Sequence, residues 1–447
     1  MISKKLSTQH LIIGFGKAGK TLAQELAKAD EKVVLVEQSN KMYGGTCINI
    51  GCIPSKKLAF LSYGNAEQLS LEQAVNRKNQ LTDKLNQANY HKVADLENAE
   101  VITGKASFID THPVKVVTDS ETLAITAEHI YINTGAYNWQ ALIQLLKDSK
   151  FVYDSTSIMQ LTILPQHLVV IGGGYIGLEF AFTFAGLGSQ VTILETGDTF
   201  LPREDADISA ALQAIMQKHN ITVKINQNIT QVKDTDNRAT VITTNGELQA
   251  DAILIATGRR ANIKGLDLQN AGVKLSDRGN ITVNEKLQTN VPHIYAMGDV
   301  AGSPQFTYIS LDDYRVVSSQ VLGNGSYTTE DRTFPYAVFT NPPLANAGLN
   351  EKVAIEKGYQ VKTSKFEAVN IPKAKILEQT DGLLKAVVDA QTDKILGVQL
   401  LCAEAHEMIN FMDLAIRQGL TYQQVRDHIF THPTMSEALN DLFAAIK

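Results

Sequence analysis

Cysteine is scarce, with three residues in a chain of 447. A chain this long does not rest on a disulfide framework, and three thiols fit a reducing compartment where lasting structural disulfides are rare. No apolar run approaches the roughly 18 residues a membrane span needs. Leu11-Ile12-Ile13 is too short for a signal-peptide core. Basic residues are not in excess either. Lys+Arg 41 against Asp+Glu 47 leaves a formal net charge of -6, which removes the electrostatic footprint of a nucleic-acid binder. These absences point to a soluble, cytoplasmic protein with no membrane and no nucleic-acid partner. The length allows about three domains as a soft expectation and ample core.

Two of the three cysteines lie in one short stretch, Gly44-Gly45-Thr46-Cys47-Ile48-Asn49-Ile50-Gly51-Cys52-Ile53-Pro54-Ser55-Lys56. So small a loop gains little from a structural disulfide, whereas a pair that opens and closes suits redox chemistry. The spacing is not the metal-type Cys-x-x-Cys, and no second Cys/His pair lies nearby to complete four ligands, so no metal site is expected. Two unrelated buried thiols are the plain alternative. The flanking motifs argue against it.

Leu11-Ile12-Ile13 reads as a buried parallel strand. Gly14, Gly16 and Gly19 then form G-x-G-x-x-G, followed by a helical pattern through Leu22 and Leu26, the strand Lys32 to Val36, and the acid Glu37. Glycines here permit a tight turn and close approach of pyrophosphate to a helix N-terminus, and the carboxylate accepts from a ribose hydroxyl. The pattern then repeats. Leu168 to Ile171 leads into Gly172, Gly174, Tyr175 and Gly177, a helix, the strand Val191 to Leu194, and Glu195. First glycine and acid are 23 positions apart in both copies. Ala127 to Ile132 ends in Asn133-Thr134-Gly135, and Ala252 to Ile255 ends in Ala256-Thr257-Gly258. Two such units imply two dinucleotides. Glu195 suits a free 2′-hydroxyl and repels a 2′-phosphate, and Thr196 and Gly197 supply no Arg. NADH is therefore expected over NADPH, although Arg203 and Lys218 are cations that could oppose this.

Ile294 to Val300 reads as another strand ending in Gly298-Asp299, where Asp299 either accepts from a polyol hydroxyl or closes an ordinary turn. Lys57 to about Glu97 is helical in pattern and offers no evident chemistry. Gly104 to Phe108 and the stretch after it read as a small hairpin region. From about Arg332 the chain changes character: Pro335, Pro342 and Pro343, strands at Gly382 to Val388 and Ile395 to Leu401, then helices at His406 to Arg417 and Tyr422 to His428. His432 is a candidate proton carrier, with Glu437 placed to orient it.

In this order, Gly14 to Gly19, Gly45 to Lys56, Gly172 to Glu179, Ala256 to Gly258, Met297 to Val300 and His432 to Glu437 resemble the flavin-dependent pyridine nucleotide–disulfide oxidoreductases. The resemblance spans essentially the whole chain. It implies an α/β fold with two Rossmann-like dinucleotide-binding domains, the NAD domain inserted into the FAD domain, and a C-terminal α+β dimerisation domain making a homodimer. The corresponding segments are 1–150 and 265–330 for FAD, 151–264 for NAD(P)H and 331–447 for dimerisation. It implies FAD at Gly14, Gly16, Gly19, Glu37, Gly45, Thr46, Lys56, Ala106, Gly135, Gly298 and Asp299. It implies NADH, or alternatively NADPH, at Gly172, Gly174, Tyr175, Gly177, Glu179, Glu195 and Gly258. Cys52 would be the thiolate beside the flavin and Cys47 the outer thiol that meets substrate. Lys56 would pair with Glu179, Tyr175 would gate the nicotinamide pocket, and His432 with Glu437 would serve the partner subunit.

Within the family, the sequence lacks the vicinal cysteine pair of mercuric reductases, since Cys402 stands alone. Dihydrolipoyl dehydrogenases share Tyr175 to Glu179 and Glu195, but usually follow Gly-Asp with a Leu-Ala-His segment, which the region Gln305 to Asp313 of this chain lacks. Cys47 to Cys52 together with Tyr308 to Asp313 looks most like the reactive-chlorine-resistance flavoproteins, which implies a small oxidant such as hypothiocyanous acid as substrate. A dihydrolipoyl dehydrogenase is the alternative, followed by a mercuric- or other metal-ion reductase and a low-turnover redox sensor.

Overall fold

Leu11, Ile12 and Ile13 are all apolar because both faces of their strand are covered. In the computed structural model, which describes residues 2–63, 69–139, 146 and 148–447, this strand runs from Lys4 to Ile13. It is longer than the apolar triplet suggests. The mostly polar stretch Lys4 to Ser7 still pairs in parallel with Leu123 to Thr126, so backbone pairing extends the strand past its buried part. Leu11 and Ile13 face a core with Ile125, Ile130 and Ile132. Ile12 faces the opposite core with Leu22 and Leu26, from the helix Lys17–Lys28. Burying side chains of this size contributes roughly 1.5–3 kcal/mol each.

The chain divides into two compact units. The first comprises Met1–Lys57, Gln73–Gln140 and Gly258–Arg332. Its sheet runs Ala99–Thr103, Val33–Glu37, Lys4–Ile13, Thr122–Ile132, Pro113–Val117, Lys105–Phe108. The strand Thr122–Ile132 carries two kinds of partner on one edge. Its first half pairs antiparallel with Pro113–Val117, and its last three residues pair in parallel with Ile294–Ala296. The latter strand is shorter than the sequence suggests: it stops at Ala296, and Gly298–Ala301 is a 3-10 turn. Ala136–Asn138 and Arg259–Ala261, which follow the two Thr-Gly pairs, form a small antiparallel ribbon, with the Arg260 guanidinium over the Trp139 ring at 4.0 Å.

The second unit comprises Leu58–Glu72, Ala141–Thr257 and Thr333–Lys447. It contains a parallel sheet in the order Ile221–Lys224, Gln190–Leu194, His167–Ile171, Ala252–Ile255, Val152–Tyr153. A three-stranded antiparallel sheet spans Ile229 to Ala250. The C-terminal part is a five-stranded antiparallel sheet, Tyr336–Val338, Leu344–Gly348, Ile395–Leu401, Leu383–Asp389, Val361–Glu367. The amphipathic helix Ala405–Arg417 buries Met408, Ile409 and Met412 in the core of this part. The next helix is shorter than its pattern suggests, Tyr422–Arg426. The helical stretch expected from Lys57 onward includes Leu71–Ala94, while residues 64–68 lie outside the described residues.

Candidate active site

The two fingerprint turns are built alike. Gly14 has φ +107° and a Cβ there would lie 2.3 Å from the Asn133 carbonyl oxygen; Gly172 has φ +102° and a Cβ there would lie 2.7 Å from the Ala256 oxygen. Only glycine allows that backbone conformation at that separation. Each turn is closed by its acid. Glu37 Oε2 accepts from the Phe15 N–H at 3.0 Å and Oε1 from Ser39 at 3.3 Å. Glu195 Oε2 accepts from the Gly173 N–H at 2.8 Å and Oε1 from Thr196 at 2.9 Å. Glu195 Oε1 also takes the Gly197 N–H at 3.3 Å and the Thr196 hydroxyl at 3.4 Å, whereas Oε2 of each acid takes one N–H, so its second lone pair is the one left for a ribose hydroxyl. Burial raises the Glu37 carboxyl above its usual range, opposed by the Phe15, Ser39 and Gln38 N–H groups.

Open space lies beside the second turn, where a Cβ on Gly174, the residue preceding the helix Tyr175–Gly186, would meet nothing within 4 Å. The same holds at Gly135 and Gly258. Gly19 and Gly177 instead let each helix press on its turn; their Cβ atoms would lie 2.4 and 2.2 Å from the Gly14 and Gly172 oxygens. Lys218, a cation that could have confused cofactor choice, is paired with Asp381 at 2.5 Å.

The cysteine stretch is seated directly on the first fingerprint. A Cβ at Gly45 would lie 2.7 Å from Gly16 Cα, so the two loops touch glycine to glycine. Gly45–Asn49 is a short helix carrying Thr46 and Cys47, and Cys52 opens the helix Cys52–Ser62, which also carries Lys56. No disulfide joins the two cysteines; Cys47 is half-buried and Cys52 exposed. The Cys47 proton is held tightly: a hydrogen bond with Cys52, burial and the neighbouring Cys52 charge raise its pKa, while Thr307 and Lys20 oppose. Cys52 Sγ lies 3.4 Å from the Thr307 hydroxyl. The Lys20 ammonium is buried against the Asn89 side-chain oxygen, and burial lowers it to about 8, helped by Lys17 and Lys92 and opposed by Cys47. Cys402 is fully buried in the C-terminal core, where desolvation raises its thiol to about 12.

Several working residues carry no motif. Asn133 Oδ1 accepts from the Gly19 N–H at 3.0 Å, and its Nδ2 donates to the Met297 oxygen at 2.7 Å, tying fingerprint to the Gly298-Asp299 turn. Its one sequence signal is that Asn stands where the second copy has Ala256. Asp313, fully buried, accepts from the Gly298 N–H at 2.7 Å, the Ser303 hydroxyl at 2.8 Å and Arg332 Nη1 at 2.7 Å. Asp299 is raised by burial, with Arg259 opposing and Asp313 adding. The segment that offered no chemistry supplies Asn86, which donates to Asn49 Oδ1 at 3.0 Å and braces the Cys47 helix. Ala106 lies buried on the strand Lys105–Phe108.

In the second unit, Tyr175 begins the fingerprint helix and Glu179 follows one turn later, accepting from the Phe339 N–H at 3.1 Å. His432 is exposed and its Nδ1 lies 2.7 Å from Glu437 Oε2. No group of three or more His, Cys, Asp or Glu among the described residues could hold a metal ion. No helix among them is long and apolar enough to cross a membrane.

With this geometry in view, comparison with known proteins is specific. Residues 8–313 match the family model of the pyridine nucleotide-disulphide oxidoreductases, and residues 334–443 match that family's dimerisation domain. The chain is 46% identical over 440 residues to the probable pyridine nucleotide-disulfide oxidoreductase RclA of Escherichia coli, covering 98% of this chain and 99% of that protein. It is 33% identical to a mercuric reductase of Staphylococcus aureus, over 96% of this chain and 80% of that one. A solved Cu(II) complex of the HOCl-induced flavoprotein disulfide reductase RclA from Escherichia coli superposes with a TM-score of 0.96 at 45% identity, covering 99% and 100% of the two chains.

Proposed function

The chain belongs to the pyridine nucleotide-disulphide oxidoreductase family, and from that premise we propose that Cys47 and Cys52 form the dithiol with which it reduces a small oxidant. It is an oxidoreductase that uses FAD and NAD(P)H, like the rest of the family. The observation that carries the proposal is the seating of the thiol pair on the first nucleotide turn through Gly45 and Gly16. FAD, when bound, supplies the electron pair of NAD(P)H to the oxidised thiols. Gly14, Gly16, Gly19, Glu37, Gly45, Thr46, Lys56, Ala106, Gly135, Gly298 and Asp299 would hold it. Gly172, Gly174, Tyr175, Gly177, Glu179, Glu195 and Gly258 would hold the nicotinamide nucleotide, with Tyr175 as gate and Glu195 favouring NADH. Segments 1–150 and 265–330 would form the FAD domain, 151–264 the NAD(P)H domain and 331–447 the interface of a homodimer in the cytoplasm.

The substrate we assign is hypothiocyanous acid, in oxidant defence. Likeness to an HOCl-induced reductase supports this. The hydrogen bond with Cys52 and burial hold the Cys47 proton, so attack by Cys47 needs a base. His432, contributed by the second copy, would be that base. Glu437 takes the Nδ1–H, which leaves Nε2 to accept the proton. The Cys47 thiolate attacks the oxidant's sulfur, forming a sulfenyl thiocyanate, and the hydroxide released leaves as water with one proton. Cys52 then attacks Cys47 sulfur, thiocyanate departs, and the disulfide closes.

The test is NADH oxidation by flavin-loaded protein with hypothiocyanous acid and, separately, lipoamide. Turnover above ~1 s⁻¹ with the first and little with the second is expected, and Cys47→Ser should abolish it. Preference for lipoamide would make the protein a dihydrolipoyl dehydrogenase. Full turnover by Cys47→Ser would remove the assigned nucleophile.

A further inference from the structure

Glu204 lies outside every motif, yet it is among the most buried acids of the chain, 4% exposed. Its Oε1 accepts two phenol protons, from Tyr175 at 2.9 Å and from Tyr336 at 2.9 Å. Its Oε2 accepts from Gln399 Nε2 at 3.0 Å. The Tyr175 and Tyr336 rings stack with centroids 5.5 Å apart and planes 22° apart. Tyr336 and Gln399 belong to the C-terminal antiparallel sheet, and Tyr175 is the first residue of the second fingerprint helix. Burial raises the Glu204 carboxyl above its usual range, opposed by the phenol and amide donors. Such a group is expensive to bury unless its partners are the purpose of the site.

We propose that Glu204 is a positioning residue that latches Tyr175 in its resting pose, so that nicotinamide entry must break the Tyr175–Glu204 hydrogen bond. This rests on the reading of Tyr175 as the gate. The remaining partners explain why the latch survives opening: when Tyr175 leaves, Tyr336 and Gln399 still satisfy the carboxylate. A hydrogen bond to a charged acceptor shifts such an equilibrium roughly tenfold or more.

The test uses the flavin-loaded holoenzyme with NAD⁺ as probe. NAD⁺ dissociation constants come from titration calorimetry, and KM and kcat from NADH turnover. Tyr175→Phe keeps the ring and removes the donor; it should tighten NAD⁺ and lower the KM for NADH about tenfold with little change in kcat. Glu204→Leu should do the same, and the double variant should add nothing further. Glu204→Gln keeps a neutral acceptor in place of a charged one, so it should shift NAD⁺ affinity and KM in the same direction as Glu204→Leu but by clearly less than tenfold. Its amide oxygen still accepts from both phenols, and the buried, unpartnered Gln399 Oε1 can receive the new amide hydrogens. Additive effects, or Tyr175→Phe indistinguishable from the parent, would overturn the latch. Should Glu204→Leu fold poorly, Tyr175→Phe against Glu204→Gln decides alone. Tyr175→Ala separates the two claims. If it shifts NAD⁺ affinity while Tyr175→Phe does not, the gate stands and the latch falls; if it shifts nothing, the gate itself falls.

Discussion

Replacing Asp313 by Ala should destabilise the first unit far more than replacing its neighbour Asp312. Both carboxylates meet Arg332, at 2.7 Å from Nη1 and 2.8 Å from Nε respectively. Their settings differ. The Asp313 side chain is fully buried and also takes the Gly298 N–H and the Ser303 hydroxyl, whereas Asp312 is 15% exposed. Removing one partner of a buried pair costs about 3–5 kcal/mol. Arg332 keeps Asp312, so the lower end, about 3 kcal/mol, applies to Asp313→Ala. For Asp312→Ala, where Asp313 still neutralises the guanidinium, about 1 kcal/mol is expected. Urea unfolding followed by circular dichroism reads the difference, and flavin retention on gel filtration reads its consequence. Gly298-Asp299 hangs from Asp313, so Asp313→Ala should lose flavin at urea concentrations where Asp312→Ala retains it. Equal midpoints and equal retention for the two variants would refute the reasoning.

Lys20 gives a pH signature. Its pKa is lowered to about 8 from an ordinary 10.5, so the unfolded chain binds more protons between those values and stability rises with pH across that window. Lys20→Met should remove this rise, closing a gap of about 3 kcal/mol relative to the parent between pH 8 and 10.5; parallel urea-midpoint curves would contradict it. Gly177→Ala puts a Cβ 2.2 Å from the Gly172 oxygen, an overpacking of about 1–3 kcal/mol that should weaken NAD⁺ binding in calorimetry. Glu195→Gln keeps the Gly173 contact through its amide oxygen but loses the charge, so the NADH over NADPH ratio of kcat/KM should fall about tenfold; an unchanged ratio would detach Glu195 from cofactor choice.

The sequence made the local parts legible. Glycine turns, strands buried on both faces, acids closing each turn and the cysteine pair are set by neighbours a few residues away or by a fixed spacing. What it hid depends on distant partners. Asn133 acts on Gly19 and Met297 across separations of 114 and 164 residues. Glu204 acts on Tyr336 and Gln399 across 132 and 195. Periodicity carries no record of such pairings. Asp313 read only as a departure from a relative's Leu-Ala-His segment, because nothing local shows that its carboxylate is buried. The sequence marked only Leu11 to Ile13 as strand and not the pairing of Lys4 to Ser7, because mostly exposed pairing leaves little hydrophobic trace.

The strand Thr122–Ile132 has a consequence for how the protein is made. A ribosome delivers the chain in order, and the parallel partner of Ile130 to Ile132 is Ile294 to Ala296. Until that segment emerges, the nascent first unit presents an open sheet edge, and the Asn133 amide has no Met297 carbonyl to bind. All of Ala141–Thr257 must be translated in the meantime. The inserted part can therefore finish folding while its host is still waiting, and a pause in translation after residue 257 would prolong exposure of that edge to other chains.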